Sequence, residues 1–182
     1  RKGFVFHYAG DQHLPSIVHH GIDKWGDAGF SFCVPSIAAG YPRSWRPDKE
    51  GRAVRNRSKP GLPNTGDYTD GFANKLTVHA IGNPAAKNRK GRLATLHDKA
   101  SGFGIVRLNV KTGTIRMECH RLLIDAANPK PGDQFPGWPK TIRHTDNYGR
   151  KPVAHLPEIK VEGLKTPVFQ VKNSKTGELV YA

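Results

Sequence analysis

The chain has 182 residues, of which 36% are hydrophobic, and this length accommodates one core of ordinary size. Its 29 Lys and Arg residues against 15 Asp and Glu residues give a formal net charge of +14, a surplus that attracts phosphate-bearing partners of any kind. No apolar run approaches the roughly 18 residues of a membrane span, so no membrane-spanning segment is expected.

The first predicted elements are a strand, a sharp turn and a short helix. Residues 3–9 are aromatic and β-branched, which predicts a buried strand. The apolar residues that follow His13 recur at helical spacing. Pro15 lies near a first helical position, and Gly21 would end a helix of about two turns.

The middle of the chain combines two apolar blocks with a long connection. Residues 30–41 predict a strand that runs into a loop, or alternatively a short helix after Pro35. Residues 42–75 carry prolines and charges with little periodicity, which indicates a long surface excursion. Residues 75–82, with the sequence KLTVHAIG, alternate well enough to predict a strand.

The clearest predicted element is a β-hairpin over residues 102–122, because both arms alternate and Lys111–Thr114 has the composition of a turn. Residues 123–150 are rich in Pro and Gly and predict no regular element. Residues 158–182 have the rhythm of short β-strands, with a second hairpin-like turn at NSKTGE.

Asp11 and His13 are the candidate metal ligands. If the first strand continued through them, both side chains would point to one side, with Cα atoms about 6–7 Å apart. A carboxylate oxygen and an imidazole nitrogen at that spacing can converge on one metal or on two adjacent metals, and Gly10 lets the backbone bend beside them. The alternative is an ordinary hydrogen-bonded strand end. Two ligands do not complete a site, since transition-metal centres need three or more.

Other polar residues have explanations of their own. Of the remaining histidines, two fall in predicted strands and three in polar loops: His79 and His120, and then His97, His144 and His155. Cys33 and Cys119 lack the CxxC spacing of a zinc ribbon and are expected to be separate buried thiols, with one disulfide as the alternative. Paired carboxylates, a nucleophile elbow and a P-loop are absent from the sequence.

Basic loops are the candidate anion-binding segments. In YPRSWRP, Arg43 and Arg46 could hold an anionic substrate, or the loop could be stiffened by its prolines with Trp45 packed beneath it. The clusters at 51–59 and 87–92 have the Gly-, Asn- and Pro-rich surroundings of solvated loops. They leave polyanion binding open, although no known nucleic-acid-binding motif matches.

Several long segments, in order, resemble the C-terminal part of the PhoD-like (alkaline phosphatase D) metallophosphoesterases. They are HYAGDQHL, FSFCVPSIAAGYPRSWRP, TGDYTDGFANKLTVHAIGNP, SGFGIVRLNVKTGTIRMECHR and GDQFPGWPKTI. The resemblance covers nearly all of residues 1–150 and is to the branch common in planctomycete-type bacteria. It implies an α/β (α+β), β-rich fold: the C-terminal portion of a calcineurin-like sandwich over 1–150, followed by the beginning of a β-sandwich appendage over 151–182.

The same resemblance implies a two-metal centre that hydrolyses phosphate esters, with Asp11 and His13 as its last ligand motif and with Fe, Mn, Zn or Ca as the metals. The family's other ligands come from strands that would precede residue 1. The resemblance therefore implies a piece of a longer enzyme, and an incomplete catalyst when alone. It also implies export to the periplasm or secretion. The alternative function is a non-catalytic basic module that binds nucleic acid or other polyanions, and a third is a family member that has lost its site.

Overall fold

The computed structural model describes residues 5–38, 40–48, 54–58, 61–85, 90–149, 154 and 157–181. The described elements, in chain order, are mostly strands. They are β1 (His7–Ala9), β2 (Ser16–Gly21), β3 (Phe30–Cys33), β4 (Gly66–Thr69), β5 (Lys75–Ile81), α1 (Arg92–Asp98), β6 (Gly102–Asn109), β7 (Thr114–Arg121), β8 (Lys140–Arg143), a kinked 3₁₀ segment (His144–Gly149), β9 (Val171–Lys172) and β10 (Leu179–Tyr181). The fold of the described residues is β-rich with mixed α and β content.

The larger sheet has five strands in the order β1-β3-β2-β5-β4. The edge strand β1 runs parallel to β3, and the remaining pairs are antiparallel. Ala9 and Ser16 both lie opposite Cys33 on β3, and Ser16 also lies opposite Ile81 on β5. The residues that follow β1 therefore lie at the end of the sheet where β2 begins and where β3 and β5 end.

The smaller sheet has three antiparallel strands in the order β6-β7-β8 and shares one core with the larger sheet. The buried cluster draws Phe32 from β3 and Met117 from β7, together with Trp138 from the segment before β8. Gly104 allows this close packing, because a Cβ at that position would collide with Val34 and press on the ring of Phe32. The absence of a side chain at one position of β6 is thus part of how the two sheets meet.

Several predicted elements are confirmed. The strand at 75–82 is β5, the block at 30–41 is a strand that ends at Cys33 and runs into a loop, and the hairpin at 102–122 is β6 and β7. In that hairpin Asn109 lies opposite Thr114, so the turn begins one residue earlier than expected. The NSKTGE turn joins β9 to β10, and these are the strands that the structure describes within 157–181.

The predicted helix after His13 is wrong, since Ser16–Gly21 is strand β2. Its apolar residues are β-branched and lie between two neighbouring strands, β3 and β5, whose pairing decides the conformation of a short apolar run. The prediction missed α1, which places His97 in a helix, and it missed β4 within 42–75 and β8 within 123–150. The strand predicted at 3–9 is present as β1, but the prediction that it is buried is wrong, since all three residues of β1 are exposed. The first residues of 3–9 and parts of the basic clusters lie outside the described residues, as does His155.

The two cysteines are separate free thiols, as expected, with Cys119 buried and Cys33 half-buried. Burial raises the pKa of both thiols, which favours the protonated, unreactive form. Within the described part of the chain, a search for a helix that could cross a bilayer finds none.

Candidate functional site

Asp11 and His13 lie in the loop of residues 10–14, which connects β1 to β2. The prediction that they share one face of a strand is wrong, because β1 ends at Ala9 and both residues have left-handed backbone conformations, with φ of 65° and 52°. Such conformations are uncommon for residues other than Gly and are concentrated at functional sites. The expectation that the pair follows the carboxyl end of a strand is met. Asp11 is exposed and His13 is half-buried.

The imidazole of His13 is oriented by the main chain of a remote loop. Its Nδ1 lies 2.7 Å from the carbonyl oxygen of Tyr41. A carbonyl can only accept a hydrogen bond, so Nδ1 carries the proton, and Nε2 of the neutral ring keeps its lone pair. Histidines that bind metals are usually held in this way, with one ring nitrogen donating to a carbonyl or carboxylate while the other faces the metal.

Two further hydrogen bonds stabilise this arrangement. The backbone N–H of Arg43 donates to the carbonyl of His13 at 3.3 Å, so the two loops are joined twice. The ammonium group of Lys99, which follows α1, donates to the carbonyl of Gly40 at 2.7 Å. Sequence reasoning missed Lys99 and Tyr41, and no local pattern could have found them, since both contacts join distant segments.

The two arginines proposed as anion ligands have different environments. Arg43 is exposed and lies beside His13 through its backbone. Arg46 donates to the carbonyl of Pro84 at 2.9 Å and lines a separate cavity of about 550 Å³ together with Arg121. Trp45 is half-buried against Tyr68 in an edge-to-face contact with ring centroids 5.7 Å apart, which confirms the interpretation that it packs beneath the loop.

The 10–14 loop offers two donor atoms of the kinds that bind metals, but the described residues supply no third ligand beside them. Asp11 has no hydrogen bond or ion pair with any described residue, so its carboxylate is available, and His13 offers Nε2. One oxygen donor and one nitrogen donor suit Fe, Mn or Zn. In the described ranges no cluster of three or more His, Cys, Asp or Glu residues could hold a metal ion. Asp11 and His13 are thus two candidate ligands, fewer than the three that a metal centre needs.

Comparison with protein-family models, with curated proteins and with solved structures finds no match for this chain. Within the described residues, the 10–14 loop is joined to the 40–43 segment by two hydrogen bonds.

Proposed function

We propose that this chain supplies an Asp–His ligand pair to a metal-dependent centre that hydrolyses phosphate esters, as in the PhoD-like metallophosphoesterases that its segments resemble. The observation that carries the proposal is the hydrogen bond from His13 Nδ1 to the Tyr41 carbonyl, which leaves Nε2 available two residues along the chain from the exposed Asp11. The proposal includes a calcineurin-like sandwich over 1–150 and an appendage over 151–182. Two β-sheets that share a core support the first of these. A periplasmic or secreted location belongs to the same proposal.

The proposed chemistry assigns a task to two residues of the 10–14 loop and to two residues of the 40–43 segment. Asp11 would provide an oxygen ligand and His13 Nε2 a nitrogen ligand, while the Tyr41 carbonyl keeps the imidazole in the correct tautomer and orientation. Bound divalent or trivalent cations would clamp the phosphate and lower the pKa of a water toward neutrality. The positive charge of exposed Arg43 would attract the anionic ester toward the loop.

Metal binding by the chain is expected to depend on His13. The His13→Ala substitution removes a ligand, and removal of a partner that only orients a ligand already costs about 10–100-fold in affinity, so a loss of at least that size is expected. Titration with Mn²⁺ or Zn²⁺ by calorimetry measures it. His144→Gln is the matched control, because His144 is an exposed histidine of the 3₁₀ segment. Equal affinity in the wild type and His13→Ala would contradict the ligand assignment.

The corresponding activity assay uses bis(4-nitrophenyl) phosphate with added Mn²⁺, for this chain and for the product of the full reading frame that encodes it. The 182 residues alone are expected to give no turnover, because two ligands are too few for a catalytic centre. Where the ligand set is complete, hydrolysis should be sensitive to chelators and should be lost in His13→Ala. Hydrolysis that survives this substitution would refute the proposed function.

As a second candidate function we propose a non-catalytic basic module for nucleic acid or other polyanions, which the net charge of +14 favours. In that case the affinity for a DNA oligonucleotide should fall steeply between about 50 and 200 mM salt, because bound counterions are released from each neutralised phosphate. Asp11→Asn and His13→Ala should leave that affinity unchanged. Fluorescence anisotropy at several salt concentrations is the measurement, and a salt-independent affinity would exclude this candidate.

A further inference from the structure

His79 occupies a β-bulge in β5. Across the β2–β5 pair Ile17 lies opposite Ala80, whereas the next residue, Val18, lies opposite Val78, so His79 is the extra residue on β5. A bulge of this kind changes the direction of a side chain, and bulges are over-represented beside active sites. The imidazole of His79 stacks on the ring of Phe30, with centroids 5.4 Å apart.

The Nε2 atom of His79 is buried and has no hydrogen-bond partner among the described residues. A buried polar atom without a partner is costly, so this Nε2 is expected to meet a bound water or a ligand. Burial, followed by the charges of Lys140 and His19, lowers the pKa of His79 to about 3, so the ring is neutral at pH 7. In the neutral ring Nε2 can carry the proton, and its N–H can then donate a hydrogen bond to a ligand.

The space beside His79 is a cavity of about 320 Å³ whose lining is rich in hydrogen-bond donors. Lys140 lines it, and among the described residues no carboxylate or carbonyl pairs with the Lys140 ammonium group. Arg57 also lines it and uses NH1 to bind Asp48 and the Leu62 carbonyl, at 2.9 and 2.8 Å. The side chain of Tyr68 also interacts with Arg57.

The charge balance of this cavity favours an anion over water. Asp48 offsets Arg57 by a direct ion pair, whereas Asp146 and Asp67 act on Lys140 and His79 only through longer-range fields. Burial lowers the pKa of Lys140, because the charged ammonium group is less well solvated there than in water. A bound oxyanion would relieve this cost, because it accepts hydrogen bonds from ammonium and guanidinium groups and carries the missing negative charge.

We propose that this cavity binds a small oxyanion, either free phosphate or the phosphoryl end of a larger molecule, between Lys140 and Arg57, with His79 Nε2 as a further donor. The site is distinct from the 10–14 loop. None of the residues that line the cavity belongs to the 10–14 loop or to the 40–43 segment that contacts it. The inference does not depend on the metal-dependent function proposed for Asp11 and His13.

The test is a calorimetric titration of the metal-free chain, in the presence of a chelator, with inorganic phosphate and, separately, with glycerol 3-phosphate. Lys140→Gln is expected to weaken phosphate binding by about 10–100-fold, because a charge-assisted hydrogen bond is lost. Lys111→Gln is the matched control, since Lys111 is an exposed lysine in the β6–β7 turn. Binding of phosphate alone would identify free phosphate as the ligand, and binding of both would identify a phosphoryl group. Either result supports the site.

Two further measurements make the test specific to this cavity. His79→Phe keeps an aromatic ring on Phe30 but removes Nε2, and it is expected to weaken phosphate binding about 3–10-fold. In the wild type, phosphate should shift the imidazole ¹⁵N resonances of His79, a readout that remains if a variant fails to fold. Absence of that shift, or equal weakening in Lys111→Gln and Lys140→Gln, would overturn the proposal, because the phosphate would then be held by general surface charge.

Discussion

Phe32→Ala is expected to lower the free energy of unfolding by about 3–5 kcal/mol, the range for truncation of a fully buried Phe. Phe32 is 0% exposed, and its ring lies 5.9 Å from that of Tyr8 and 6.3 Å from that of Trp138, measured between centroids. Its neighbours come from both sheets and include the backbone at Gly104, so the cavity left by the ring cannot easily close.

Urea unfolding followed by tryptophan fluorescence measures this loss. Small domains are stable by about 5–15 kcal/mol in total, so the substitution should remove a large share of the stability. Phe72→Ala is the matched control, because Phe72 is 90% exposed and its truncation should change the stability by less than about 0.5 kcal/mol. A loss below about 1 kcal/mol for Phe32→Ala would show that the two sheets do not depend on a common core at this position.

The same substitution links the core to the candidate metal site. Phe32 lies opposite Tyr8 in the parallel β1–β3 pair, and Val34 donates from its backbone to the carbonyl of Ala9 at 2.9 Å. The loop that carries Asp11 begins directly after this pairing. The position of that loop therefore depends on how well β3 is held in the core.

Local alternation was sufficient to predict the β6–β7 hairpin, because both strands and their turn are contiguous and each strand has one face in the core. For strand β2, local alternation was not sufficient. The run around Ile17 is short and compatible with either period, and its conformation depends on β3 and β5, which come from segments up to about 60 residues later.

The candidate site, too, could be predicted from the sequence only in part. The residue types at Asp11 and His13 could be read as metal ligands, but their left-handed backbone and the contact with Tyr41, 28 residues away, could not. The sequence alone makes His79 an ordinary strand residue, because a bulge is a property of the register between two strands and cannot be recognised in one of them. Lys140, which lines the same cavity as His79, lies on strand β8. The Pro- and Gly-rich composition of 123–150 gave no indication of this strand.

Acid is expected to destabilise the smaller sheet through Glu118, whose side chain is only 10% exposed. Its carboxylate accepts hydrogen bonds from Arg116 at 2.8 Å, from Arg107 at 3.1 Å and from His120 at 3.4 Å. Burial raises the pKa of Glu118, but these hydrogen bonds outweigh burial and lower the pKa to about 2. Because the folded pKa lies below that of the unfolded chain, this stabilisation is complete above about pH 4.5 and is lost as the pH falls toward 2.

The expected loss attributable to Glu118 is about 2–3 kcal/mol between pH 5 and pH 2, reduced from the full value of the pKa shift because both arginines are substantially exposed and screened by solvent. Glu118→Gln should therefore be clearly less stable than the wild type at pH 6 and nearly equal to it at pH 2, where the wild-type carboxyl is itself becoming protonated. Urea unfolding at several pH values measures this convergence, with the exposed Glu158→Gln variant as the control. A difference between wild type and Glu118→Gln that stays constant from pH 6 to pH 2 would show that the carboxylate charge does not stabilise β7 against its arginine partners.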